Sequence, residues 1–238
     1  MIPETAFILA AGLGTRMRPL TNDRPKALVE VGGRALIDHM LDRLAAAGAK
    51  HFVVNVHAFA DRLEAHLKAR TDLDIVISDE REALLETGGG LKKARPLLGE
   101  DPIWAANIDS VWLEDIDGAA LKALSSLWNP DEMDAALLLA RMERTTGFDG
   151  AGDFFMDGDR LRFRGEASSA PLNYMGVHIT KPQIVDGVDE AAFSLAKIWR
   201  ELAPKGRIAG VVMDGDWMHV GDPAARDIAE GRLAVRDR

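Results

Sequence analysis

The residues with the clearest capacity for chemistry lie between Phe7 and Val31, in the stretch FILAAGLGTRMRPLTNDRPKALVEV. Gly12 and Gly14 open a loop, and Arg16, Arg18, Arg24 and Lys26 crowd the residues that follow. An apolar strand that delivers a glycine loop and flexible cations to one edge of a sheet suits the binding of phosphates. A lone Gly-x-Gly is more often only a tight turn, and solvated surface charge accounts for one or two of the cations. It accounts less well for Lys26, fixed between Pro25 and the apolar Ala27–Val29. Two common phosphate loops are excluded. A dinucleotide fingerprint needs a third glycine near position 17 and an unbroken helix, where Met17 and Pro19 stand; a Walker A loop closes in Gly-Lys-Ser/Thr, and neither Lys26 nor Thr21 is so placed.

Two further stretches carry candidate chemistry. Glu86, Thr87, Gly88 and Gly89 stand at the mouth of a short helix that Pro96 interrupts, and such a mouth offers free backbone N–H groups. Asp109 follows the apolar run Pro102–Ala106 through Asn107 and Ile108. A carboxylate just past the carboxyl end of a buried strand sits where ligands of open α/β sheets bind, although a strand-end turn or a helix cap explains one aspartate equally well.

The elements that must position these groups follow from hydrophobic patterning. Ala6–Ala10 is a continuous apolar run, as in a strand covered on both faces, and Ala27–Val31 reads as a short extended piece closed by Gly32-Gly33. Leu36, Ile37, Met40, Leu41 and Leu44 recur at helical spacing up to Gly48. Phe52–Val56, a helix around Leu63–Leu67, Ile75–Ile77, a helix over Gly118–Leu127 and a strand over Ala135–Ala140 continue the alternation, which predicts an α/β fold on a parallel sheet with right-handed crossovers. From Thr145 to Gly165 the character changes, with five glycines and Asp149, Asp153, Asp157 and Asp159. Asp157-Gly158-Asp159 between Phe154–Met156 and Leu161–Phe163 predicts a hairpin. Tyr174–Ile179 reads as strand, Leu195–Leu202 as helix, Arg207–Met213 as extended chain, and Asp222-Pro223 as the start of a last helix to about Leu233.

Composition bounds the function. At 238 residues and 47% apolar content the chain can bury a core, and one compact unit is expected. The formal charge of −9 argues against nucleic acid or an anionic membrane surface as a partner. No cysteine is present, so disulfides, thiolate metal sites and cysteine nucleophiles are absent and a cytoplasmic protein is expected. The apolar run at Ala6–Ala11 is far too short to span a bilayer, and no signal-type segment precedes it.

These stretches together resemble a known family. LAAGLGTRMRPLT followed by RPKALVEVGGRALI is similar to the signature of the sugar-1-phosphate nucleotidylyltransferases, and the likeness continues through NVHAFADRLEAHL, LETGGGLKKARPLL and WMHVGDP. The arrangement and the LETGGG segment resemble in particular the bacterial N-acetylmuramate-1-phosphate uridylyltransferases of cell-wall recycling. The resemblance implies a Rossmann-like three-layer α/β sandwich with a mixed, mostly parallel central sheet, one nucleotidyltransferase domain over residues 1–238, and a sugar-pocket hairpin insertion around 145–175. It implies that an NTP, UTP by the nearest likeness, and a sugar 1-phosphate give an NDP-sugar and pyrophosphate. A monomer or small homo-oligomer is expected. Two other readings stay open on the same fold: a non-catalytic nucleotide-binding or regulatory relative, and a cytidylyltransferase acting on phosphocholine.

Carried onto this sequence, the resemblance gives Ala10, Ala11, Gly12, Gly14 and Thr15 to the triphosphate, with Arg16 on the departing pyrophosphate and Lys26 near the reacting centre. It gives Glu86, Thr87, Gly88 and Gly89 to the base and ribose, and Asp109 to Mg²⁺, which prefers hard oxygen donors. Asn107, Asp153, Glu166 and Asn173 are the polar candidates for the sugar; for Glu166 a solvated loop is the plainer account. One position departs from the family, which commonly carries aspartate as a second metal ligand where this chain has His219. Imidazole is a softer, neutral donor. Either His219 binds the metal and favours Mn²⁺ or Co²⁺, or Mg²⁺ rests on Asp109, phosphates and water. Trp104, Trp112, Trp199 and Tyr174 sit in apolar settings and are expected in the core.

Overall fold

A computed structural model describes residues 2–236. Its strands are β1 (Thr5–Leu9), β2 (Glu30–Val31), β3 (Arg34–Ala35), β4 (His51–Val56), β5 (Asp74–Asp79), β6 (Ile103–Asn107), β7 (Ser110–Glu114), β8 (Ala135–Arg141), β9 (Thr145–Thr146), β10 (Phe154–Asp157), β11 (Arg160–Phe163), β12 (Leu172–Thr180), β13 (Ile208–Val212) and β14 (Gly215–His219). The α-helices are α1 (Leu36–Ala46), α2 (Ala60–Ala69), α3 (Glu86–Ala94), α4 (Ala119–Leu127), α5 (Leu195–Leu202) and α6 (Pro223–Arg236).

The main sheet runs β10-β11-β13-β8-β12-β6-β1-β4-β5. Strands β6, β1, β4 and β5 are mutually parallel and β13 is parallel to β8, whereas β12 runs antiparallel to both β6 and β8. The sheet is therefore mixed and mostly parallel around β1, as expected. The side-chain period of two divides each central strand between two cores. Ala6 and Ile8 of β1, with Phe52 and Val54 of β4, join the core that α1, α2 and α4 cover; Phe7 and Val53 join the core under α3 and α5. Covering both faces explains why these strands are continuously apolar.

Helices α1 and α5, the strands of the main sheet and the hairpin β10–β11 fall where hydrophobic spacing places them. Three short strands, β7, β9 and β14, are not evident in the sequence. Strand β14 pairs antiparallel with β7 and parallel with β9 in a small second sheet. The stretch over Ala27–Val31 is only half extended: Lys26–Leu28 is a 3-10 turn, and Glu30–Val31 pairs with Arg34–Ala35 across the Gly32-Gly33 turn. Trp104 and Trp112 are fully buried, and Trp199 is nearly so, as their apolar settings predict. Among the described residues no helix is long and apolar enough to cross a membrane.

His178 on β12 is buried, with Nδ1 2.6 Å from the Tyr174 hydroxyl and Nε2 without a hydrogen-bond partner among the described residues. Burial pushes its pKa down from 6.5 to about 3. Between those values the unfolded chain takes up a proton that the folded chain refuses. The residue therefore costs stability as pH falls, by about 1.4 kcal/mol per pH unit below about 6.5. Urea-unfolding free energies measured at about pH 7, 6 and 5 should decline less steeply for His178→Gln than for the wild-type chain, and equal slopes would contradict this account.

Candidate active site

The site begins where two parallel strands end side by side. Leu9 of β1 is in register with Asn107 of β6, so the glycine loop and the Asn107–Asp109 segment leave adjacent strands at the same edge. The chain moves from β1 outward to β4 and β5 and returns to the other side of β1 with β6, which makes this edge a topological switch point. A cavity of about 500 Å³ opens there. Ala10, Ala11, Gly12, Gly14, Thr15, Arg16, Lys26, Glu86, Thr87, Asn107 and Asp109 all line it. Residues assigned to phosphate, base and metal from separate parts of the sequence thus share one wall-to-wall space.

Asn55, which sequence reasoning passed over, shapes the loop. Its Oδ1 accepts from the N–H groups of Ala10 and Ala11 at 2.6 and 3.0 Å, and its Nδ2 donates to Glu80 Oε1 at 2.8 Å. A polar residue in the run Phe52–Val56 was the visible signal, because a buried amide in a strand must find partners. Glu80 is buried; desolvation raises its carboxyl, and the Asn55 hydrogen bond only partly offsets that. Gly14 then turns the chain at φ 62°, and a side chain there would place Cβ 3.0 Å from that of Lys26. The Thr21 hydroxyl closes the turn on the Gly14 carbonyl at 2.8 Å. Arg16 stands exposed at the cavity wall, beside Gly221.

Lys26, Asp109 and His219 form the charged centre. Lys26 Nζ donates to Asp109 Oδ2 at 2.8 Å, and His219 Nε2 lies 3.4 Å from the same oxygen. The histidine arrives by strand register: His219 of β14 is opposite Ser110 of β7, and the Val220 N–H donates to the Asp109 carbonyl at 2.9 Å. Burial by itself would raise the Asp109 carboxyl, but His219 and Lys26 outweigh it and hold the group well below the ordinary carboxylate range. Burial likewise depresses His219, and the Asp109 carboxylate more than reverses this, leaving the imidazole above its ordinary value. Asp109 keeps 24% of its side-chain surface exposed and lines the cavity, as does Lys26.

These residues fit a divalent cation of the kind that retains substrate oxygens and water. The His219 Nδ1 is 3.0 Å from the Gly147 carbonyl, which can only accept, so Nδ1 carries a proton there and Nε2 is the nitrogen on the Asp109 side. A backbone carbonyl that fixes the second ring nitrogen is the usual support of a ligating histidine. Among the described residues no cluster of three or more such donors exists, so these two groups are the ones that could hold a cation here. Mg²⁺ is commonly held by so few protein ligands with substrate phosphates completing the shell, while the nitrogen donor is better matched to Mn²⁺ or Co²⁺.

Five expected residues stand elsewhere. Gly88 and Gly89 are buried inside the first turn of α3, and their N–H groups donate to the Phe193 carbonyl at 2.8 and 3.1 Å. The expectation of free N–H groups at those glycines is thereby corrected. Their role here is close approach: a Cβ on Gly88 would fall 2.3 Å from the Phe193 ring, and one on Gly89 2.2 Å from the Ala191 carbonyl. Asn173 is fully buried, with Nδ2 on Met142 Sδ and the Thr145 hydroxyl, and does not reach the cavity as expected of a sugar ligand. Glu166 is exposed on the loop after β11 and lines neither this cavity nor the second one, in keeping with a solvated loop. Asp153 lines a second, smaller cavity, as does Tyr174, which is only half-buried where the core was expected.

Residues 6–166 match the family model described as "MobA-like NTP transferase domain". The chain belongs to the NTP transferase family. It is 56% identical over 98% of both chains to the N-acetylmuramate alpha-1-phosphate uridylyltransferase of Caulobacter vibrioides, and 37% identical to the protein of that description in Neisseria meningitidis, over 91% of this chain and 92% of that one. Among solved structures it resembles an apo UDP-glucose pyrophosphorylase, with TM-score 0.80, 15% identity and full coverage of both chains. The inositol-1-phosphate CTP transferase of T. maritima aligns with TM-score 0.79 and 17% identity over 99% of this chain and 97% of that one, which supports the fold. Within this family the chain is an enzyme of nucleotidyl transfer to sugar 1-phosphates.

The packing of α3 gives a direct test. Gly89→Ala should destabilise the fold by about 2 kcal/mol, because the new methyl meets backbone rather than a movable side-chain end. A urea midpoint unchanged from that of the wild-type chain would show that the 191–193 segment yields freely.

Proposed function

We propose that this transferase moves a uridylyl group from UTP to N-acetylmuramate 1-phosphate, releasing pyrophosphate. The observation that carries the reading is the convergence of the glycine loop, Arg16, Lys26 and Asp109 on one cavity, with His219 beside Asp109. The choice of base and sugar is supported by the activity in the descriptions of the Caulobacter and Neisseria relatives.

The chemistry asks little covalent work of the protein. A phosphate oxygen of the sugar 1-phosphate attacks the α-phosphorus in line, the bond from that phosphorus to the bridging oxygen breaks, and pyrophosphate leaves. Two polyanions must be held together meanwhile, and their charge must be offset. The Ala10–Thr15 loop lies along the triphosphate, with Gly14 letting the backbone come close. Lys26 exchanges its Asp109 partner for phosphate oxygens near the reacting centre, and Arg16, free at the cavity wall, takes the departing pyrophosphate. Asp109 and His219 are the residues that would hold a divalent cation, which supplies positive charge to the phosphates when bound. Glu86 and Thr87 border the part of the cavity left for nucleoside, and Thr87 is fixed there because its hydroxyl accepts from the Leu195 N–H at 2.9 Å. The whole chain serves one reaction centre, with the β10–β11 hairpin forming the sugar side.

A pyrophosphate-release panel crossing the common NTPs with hexose, N-acetylhexosamine and N-acetylmuramate 1-phosphates tests the assignment. UTP with N-acetylmuramate 1-phosphate should give the highest kcat/KM, and chelator should abolish release. Nucleotide binding without release for any pair would leave a non-catalytic relative instead.

Arg16→Ala should lower release about 100-fold with the melting temperature unchanged, since the side chain is exposed and its charge is used only on the leaving group. Normal turnover in that variant would remove Arg16 from the mechanism.

A further inference from the structure

A second cavity, of about 230 Å³, lies between the β10–β11 hairpin, β12 and α5. Asp153, Phe163, Arg164, Tyr174, Trp199 and Arg200 line it. Its charge pattern is unusual for a protein of formal charge −9, because two guanidinium groups face the space and, among the described residues, neither makes an ion pair. Arg164 is held in place by backbone: Nε donates to the Gly152 carbonyl at 2.9 Å and Nη1 to the Ala167 carbonyl at 2.8 Å. Two carbonyl contacts orient the fork without neutralising it. Arg200 lays its guanidinium over the Phe163 ring, with Cζ 4.7 Å from the centroid, a geometry that leaves the in-plane N–H groups open. The single opposing carboxylate, Asp153, is committed through Oδ2 to the Tyr174 N–H at 3.0 Å. One acid against two arginines leaves the cavity with an excess of positive charge, set between the aromatic rings of Phe163, Tyr174 and Trp199.

No residue lines both cavities, but α5 and β12 connect them. On α5 and its cap, Ser194 lines the phosphate cavity while Trp199 and Arg200 line the second. On β12, Gly176 packs against Asn107 of the phosphate cavity, and Tyr174, two residues earlier, lines the second. Following α5 and β12 away from the phosphate site leads to the arginines.

We propose that Arg164 and Arg200 form a carboxylate-recognising subsite that selects sugar phosphates bearing an acidic side chain, such as the lactyl ether of N-acetylmuramate. The inference rests on the sugar-phosphate reading above and adds to it the residues that set sugar specificity. A planar guanidinium pair matches the two oxygens of a carboxylate, and the aromatic walls accommodate the methyl group beside it. Asp153, with its remaining oxygen, is an acceptor for a sugar hydroxyl.

The test compares N-acetylmuramate 1-phosphate with N-acetylglucosamine 1-phosphate, the same pyranose without the acidic ether, in the wild-type chain, Arg200→Gln and Arg200→Glu. Arg200 is exposed and carries no backbone hydrogen bond, so these variants should fold normally. KM for the acidic sugar should rise about tenfold in Arg200→Gln and further in Arg200→Glu, with kcat and the constants for the neutral sugar unchanged. Equal effects on both sugars, or none on the acidic one, would overturn the subsite. Arg164→Gln should shift the same ratio, with a thermal melt to register any loss of its two carbonyl contacts. Tryptophan-fluorescence titration with the two sugar 1-phosphates decides the matter apart from turnover, since Trp199 lines the cavity. Preference for the acidic sugar that disappears in Arg200→Gln upholds the subsite even if no pyrophosphate is released, in which case the proposed reaction alone falls. Equal binding of the two sugars by the wild-type chain rejects the subsite whatever the turnover.

Discussion

The register of β1 against β6 is the constraint on which the site depends. With Leu9 opposite Asn107, the two segments that must meet at a phosphate, the glycine loop and Asp109, emerge from neighbouring strands a hydrogen-bond spacing apart. A slip of one residue would turn every side chain of β1 to the opposite core, exchanging Phe7 for Ala6 and Ile8, so the packing that fixes the fold also fixes the distance across the site. Lys26 reaches Asp109 over a sequence separation of 83 residues because of that register and not through any local motif.

The loop itself is held by a second layer of groups that do not touch phosphate in the reading above. Asn55 takes the Ala10 and Ala11 N–H groups out of competition, which means the anion-binding amides must come from later in the loop, around Gly12 to Thr15. Glu80 orients Asn55 in turn and carries a buried, raised carboxyl. A loop pinned at its base by buried hydrogen bonds and turned by Gly14 is preorganised, so less ordering is left to be done when nucleotide arrives.

Much of this was legible in the sequence, for identifiable reasons. Continuous apolar runs marked β1, β4, β6 and β8 because both faces of those strands are covered, and α5 was marked by its helical spacing. Residues that act through local chemistry, such as Gly14, Arg16 and Lys26, stood out as types and spacings. What escaped notice depends on long-range contact. Strands β7 and β14 are five residues each and mix acids with apolar residues, so nothing local announced that His219 would be delivered beside Asp109 by strand pairing. Gly88 and Gly89 looked like free amides of a helix mouth, but only the fold reveals that the 191–193 segment lies against them. Asn173 looked like a polar ligand because burial cannot be read from residue type.

The separation of the two cavities also explains how so general a phosphate machine can be selective. In the reaction proposed above, phosphate recognition falls to backbone, Arg16, Lys26 and the Asp109–His219 centre, all of which respond to charge common to every NTP and every sugar 1-phosphate. Such contacts bind all candidates alike and cannot discriminate among sugars. Discrimination needs a group that one substrate satisfies and another leaves unpaired. In this molecule the described residues that meet that requirement lie across β12, on the hairpin and on α5, where Arg164 is anchored by carbonyls and Arg200 is open to solvent. Since neither contacts the Lys26–Asp109–His219 centre, sugar preference can change by substitution in that wall while the reaction centre stays as it is.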